Sequence, residues 1–141
     1  MYYYLIVLIL VVFVTIYTTK EPPIFTKVKQ RYETFRKHIA SVPKYKNLSN
    51  QILLIGYLHK KHELGYNTNK GYEIGLCLDG TDNQIFHVLL HELAHSTVSE
   101  YEHSTLFWQN FKELRKIATD LGIYEAITSS EKFCGKYIQD S

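Results

Sequence analysis

Residues 82–103 read DNQIFHVLLHELAHSTVSEYEH, and this stretch decides the fold. Asp82 closes the loop Asp79–Asn83 as a natural N-cap, and the pattern predicts a helix from about Asn83 to about Thr97. Inside it, His91-Glu92-Leu93-Ala94-His95 is HExxH. Positions i and i+4 lie one above the other on a helix, so His91 and His95 can converge on one ion. Glu92 points into the same place without ligating, where it can take a proton from metal-held water as general acid/base. Phe86, Val88, Leu89, Leu90, Leu93 and Ala94 make most of the helix apolar. A buried helix that carries two imidazoles and a carboxylate needs a polar reason for them. Zn²⁺ is the expected ion.

A catalytic zinc takes three protein ligands and keeps one position for water. His103 follows His95 after a turn of seven residues and is the expected third ligand. Glu100 and Glu102 compete for that place from within the turn. His87 lies one turn before His91, but it is about 12 Å along the axis from His95. One ion cannot hold all three, so His87 is expected to support the site or face solvent. His38, His59 and His62 follow no pattern and are expected at the surface. Phe107 and Trp108 read as packing residues, with a place in the pocket wall open to them. Tyr101 is a further candidate, as a hydrogen-bond donor to the transition state.

Outward from the motif, a second helix starts at the N-cap Ser104. It carries Leu106, Phe107, Phe111, Leu114, Ile117, Ala118 and Leu121 inward and stops at Gly122. Upstream, Gln51–Tyr57 and Tyr72–Leu78 read as strands, with turn chemistry over residues 67–71. Ile24, Phe25, Val28, Tyr32, Phe35 and Ile39 recur at helical spacing, which predicts an amphipathic helix over 24–40. Its other face carries Lys27, Lys29, Arg31, Arg36 and Lys37, as a solvated surface or a nucleic-acid contact. The tail to Ser141 shows no periodicity. The class is α+β: a helix, a small sheet, the HExxH helix and a C-terminal helix.

The first segment, Tyr2–Thr19, holds no charge. As a helix it spans about 27 Å, and tyrosines sit at both ends, which predicts a transmembrane anchor over 1–20 ahead of a domain over 21–141. A basic n-region and a small-residue cleavage site are both missing, so an uncleaved anchor is expected rather than a signal peptide. Lys20, Lys27, Lys29 and Arg31 follow the span, and the positive-inside rule then places the domain on the cytosolic side.

The 141 residues allow one compact domain. An apolar fraction of 45% and a charged fraction of 21% exclude wholesale disorder. Cys77 and Cys134 are too few for a disulfide scaffold or an all-thiolate zinc site. They agree with a reducing compartment if free, and a bond between them stays open. The formal charge of +2 excludes a strongly basic nucleic-acid binder. It also hides an asymmetry. Residues Lys20–Lys70 hold eleven Lys/Arg against three acids, whereas Gly71–Ser141 hold five against eleven.

HELAH, His103, then Leu106-Phe107-Trp108 and a helix ending near Gly122 resemble the WLM-type and SprT-like minimal zincin metallopeptidases. Tyr66, Asn69-Lys70-Gly71, Leu76-Cys77-Leu78, Glu100 and Phe133-Cys134-Gly135 extend the resemblance to membrane-anchored WLM-like proteins of large eukaryotic DNA viruses. It covers roughly residues 24–138. Cellular WLM proteins have a shorter, glycine-containing turn before the third histidine, and here no glycine lies between His95 and His103. The resemblance implies a minimal zincin fold, zinc, and peptide-bond hydrolysis, with His91, His95 and His103 as ligands and Glu92 as acid/base. The expectation is therefore a membrane-anchored zinc metallopeptidase, in a virion or host membrane, acting on a protein or peptide substrate, with nucleic acid not expected as a partner. A structural, zinc-stapled virion component and a non-peptide amidase are the alternatives.

Overall fold

The computed structural model describes residues 1–58 and 63–141, so His59 and His62 lie outside the described residues. Four α-helices run over Tyr2–Thr18 (α1), Pro23–Ile39 (α2), Asp82–His95 (α3) and Thr105–Asp120 (α4). A 3₁₀ helix covers Pro43–Ser49. Strands β1 (Leu53–Tyr57), β2 (Gly65–Thr68) and β3 (Glu73–Cys77) form one sheet in the order β1-β3-β2. Strands β4 (Glu131–Phe133) and β5 (Lys136–Ile138) form a separate hairpin.

The α+β class holds, but the expected transmembrane helix does not. No single helix among the described residues is long and apolar enough to cross a membrane. Helix α1 ends at Thr18 after 17 residues, about 25 Å, short of a hydrocarbon core of about 30 Å. Only α1 and α2 taken together pass the test of length and composition, and they are bent by 51° at the break. Helix α2 is committed elsewhere, because Phe25, Val28, Tyr32, Phe35 and Ile39 enter the domain core. The cytosolic orientation was reasoned from that span, with the two cysteines, if free, in agreement. Every residue of α1 is exposed, so it adds nothing to the core.

Helix α3 runs through the centre of the domain. Thr81, not Asp82, is its N-cap: the Thr81 hydroxyl accepts from Gln84 N at 3.1 Å, and Gln84 Oε1 accepts from Thr81 N at 3.0 Å. Thr-x-x-Gln is a capping box, and it outweighs the neighbouring carboxylate because it satisfies two orphan N–H groups at once. Ile85, Phe86, Leu89, Leu90 and Leu93 are fully buried. Burying five such side chains is worth several kcal/mol, at about 1.5–3 kcal/mol each. Ser104 caps α4 as expected, and Gly122, at φ +72°, follows its end.

Strand β3 pairs with β1 in parallel and with β2 antiparallel. The β2–β3 hairpin turns through Asn69, Lys70 and Gly71, all at positive φ. Strand β2 was not expected: its last two residues, Asn67 and Thr68, fell within the turn read over 67–71. The same residues hold the hairpin to α3. Asn67 Nδ2 donates to Glu92 O at 2.7 Å and to Ser96 Oγ at 2.9 Å, while Asn67 Oδ1 accepts from Gly71 N.

Cys77 and Cys134 are joined in a disulfide, which settles the point the sequence left open. The bond ties the end of β3 to the turn of the C-terminal hairpin. A second fastening follows in the chain. Asp140 pairs with buried Arg115 of α4 at 2.7 Å and accepts from Tyr124 OH at 2.7 Å.

Candidate metal centre

Helix α3 presents His91 and His95 one turn apart, and the chain then turns through residues 96–103 and returns. His91, His95 and His103 each offer a ring nitrogen, and these atoms all lie within 4.8 Å of one another. His103 Nε2 is 3.1 Å from His91 Nε2. Two imidazoles bound at 2.0–2.1 Å around a tetrahedral ion have nitrogens about 3.3 Å apart. The donor set thus fits a divalent ion of zinc's size and preference for nitrogen. Neither competing acid joins the cluster. Glu100 is held by Ser104 Oγ and Ser99 Oγ, and Glu102 is exposed.

The return of the chain to His103 has a visible cause. Lys70 Nζ donates to His95 O at 3.0 Å and to Glu100 O, and it stacks over the Tyr101 ring at 4.4 Å. One ammonium therefore joins the start of the turn, at His95, to its middle, at Glu100. On the other side, Asn110 of α4 donates to Thr97 Oγ1 at 2.9 Å.

Phe107 is fully buried and lies against all three imidazoles, with ring centroids 5.0 Å from His91, 4.5 Å from His95 and 4.8 Å from His103. The packing expected of it is there, and it forms an apolar floor under the cluster. Burial, with the neighbouring imidazoles, pushes His91 down to a pKa of about 3. Burial, His103 and Lys70 push His95 down to about 4. Both rings are thus neutral at pH 7, the state in which an imidazole nitrogen carries a lone pair for a metal.

Glu92 is buried, and burial together with the Glu63 carboxylate raises its pKa to about 7. A carboxyl poised there can exchange a proton in either direction near neutral pH. Gly65 of β2 brings the sheet close to it: a Cβ at Gly65 would lie 2.7 Å from Val88 Cγ1 and 3.4 Å from Glu92 Oε1.

These groups open on a cleft of about 570 Å³. His87 lines it but is not a surface residue. Its Nδ1 lies 2.9 Å from Tyr124 OH and 3.1 Å from Asp140 Oδ1, and burial keeps its pKa below the ordinary value. It therefore ties the site helix to the C-terminal tail. Residues 136–139 line the same cleft, a contribution that sequence reasoning missed. The only signal for it was His87 itself, on the same helical face as His91. Tyr101 and Trp108 line the cleft as well. His38 is exposed.

The family model of the WLM domain matches residues 27–140. The chain belongs to the WLM family. Membership places it in a zincin-like metallopeptidase family, and the three-histidine cluster suits the zinc such a family uses. The WLM chain is also 31% identical over 126 residues to an uncharacterised protein of Acanthamoeba polyphaga mimivirus. That match covers 82% of this chain and 59% of the viral protein, so the chain spans about three fifths of that relative's length. No solved structure matches it.

Proposed function

We propose that this WLM chain is a zinc-dependent metallopeptidase that hydrolyses peptide bonds, with His91, His95 and His103 as ligands and Glu92 as general acid/base. The observation that carries the reading is the meeting of three imidazoles, those of His91 and His95 kept neutral by burial, with a buried carboxyl on one open cleft. Zinc, when bound, supplies a Lewis acid for the scissile carbonyl and lowers the pKa of coordinated water. The chain's own residues do the rest. The rings of His91 and His95 are fixed by α3 and by Phe107 beneath them. Glu92, next to His91 in sequence, takes a proton from the attacking water and delivers it to the leaving amine. Its raised pKa suits both transfers. Asn67 and Lys70 hold the β2–β3 hairpin against α3 and so fix the cleft's other wall.

A zinc site that only stapled the fold would give Glu92 no task, and burying a carboxyl is costly. That argues against the structural alternative. The test uses the full chain. Glu92→Gln is expected to keep zinc content and to lose peptidase activity by about a thousandfold or more, while His91→Ala is expected to lose the metal as well. Unchanged activity in Glu92→Gln would remove the mechanism, and equal zinc in both variants would remove the ligand assignment.

A further inference from the structure

We propose that Trp108 of α4 and Tyr137 of β5 form a subsite for a large apolar side chain of the polypeptide substrate, so that cleavage falls beside bulky apolar residues. The proposal rests on the metallopeptidase reading. The polar groups around the cleft are mostly taken by the protein itself. Lys70 is bound to two carbonyls, Asn67 to Glu92 O and Ser96, and His87 Nδ1 to Tyr124 and Asp140. Two large rings are not. Trp108 is 44% exposed and Tyr137 is 71% exposed, although Phe107 and Phe111 beside Trp108 are buried. Both rings line the cleft that holds the three imidazoles, and the Trp108 ring stands 5.5 Å from that of His103.

An indole and a phenol left in water on the wall of one cleft gain most when another apolar surface covers them. An extended chain lying across the imidazoles brings one of its side chains to this wall. The wall is also well held. Trp108 sits in the first turn of α4, next to the buried Phe107, and β5 is fastened by the Cys77–Cys134 bond and by Asp140.

Trp108 is the chain's single tryptophan, so it reports its own surroundings. The zinc-loaded full chain would be given a mixture of peptides from a digested proteome, and its cuts mapped by mass spectrometry. Enrichment of about tenfold for Phe, Leu, Tyr or Trp beside the cut is expected, flattened in Trp108→Ala and in Tyr137→Ala. In parallel, the Glu92→Gln chain would be titrated with a peptide centred on Leu-Phe-Leu and with its Ala-Ser-Ala counterpart. A blue shift of the tryptophan emission with the first peptide alone is expected. Cuts without apolar enrichment, or enrichment that survives both substitutions, would overturn the subsite. If the wild-type chain cuts nothing, the metallopeptidase reading fails and the fluorescence decides the subsite. A selective shift then supports it as a binding site, and no shift overturns it.

Discussion

Gly65 shows how much one side chain can decide. It is a point where β2 lies close against the helix that carries Glu92. A methyl group there would meet Val88 Cγ1 at 2.7 Å and the Gly75 carbonyl at 2.9 Å, both too close to hold. Gly65→Ala is therefore expected to push β2 away from α3 and cost about 1–3 kcal/mol, read as a lower denaturation midpoint. Substrate affinity should fall with it. Zinc content should stay the same, because the three histidines proposed as ligands sit on α3 and just before α4. An unchanged midpoint would show that the strand shifts freely. His91, Glu92 and His95 could be read directly, because their spacing on a helix is fixed by the helix's own geometry. His87 and Tyr137 could not. Their part depends on a tail brought back across the chain, and spacing carries no trace of such a contact.

The helices were the readable elements. Their apolar residues recur over four or five turns, and each has a start or stop of recognisable chemistry: Ser104 before α4 and Gly122 after it. Strands β2, β4 and β5 are three or four residues long, too short for alternation to stand out. Residues such as Asn67 and Lys132 within them look like loop. The C-terminal hairpin owes its place to tertiary fastenings, of which the disulfide is the strongest. Opening a bond that spans 57 residues costs roughly 4 kcal/mol. Cys134→Ser and a thiol reductant are expected to lower the denaturation midpoint by the same amount, with zinc retained. No shift with either would show that the thiols are not joined in solution. Helix α1 is the opposite case. It is the most apolar stretch in the chain, yet it packs against nothing in the domain, and its 17 residues fall short of a membrane's width.

Acidity should act on the protein as a unit. In the metal-free chain His91 and His95 sit at about 3 and about 4, against about 6.5 when unfolded. The unfolded chain then binds more protons, so the stability these rings contribute is fully present above about pH 6.5. It is lost as the pH falls toward 3. Glu92 works the other way. Held at about 7 when folded, it stabilises the domain progressively as the pH drops toward its unfolded value of about 4.3, and no further. The melting temperature of the chelator-treated protein is therefore expected to fall steadily from about pH 6.5 to about pH 3, with Glu92 offsetting the share of one ring down to about pH 4.3. A flat profile would mean that the rings are solvated rather than buried. Zinc should raise the curve most at neutral pH, where no proton competes for His91 and His95.

Lys70 carries a last consequence. Its ammonium joins the carbonyls of His95 and Glu100 across the turn, and it meets His95 through the main chain rather than the ring. Acylating that one amine would remove the positive charge and leave two oxygens without their donor, so the third imidazole would lose its anchorage. Reagents aimed at lysine would thus loosen this protein's grip on its ion without altering a histidine.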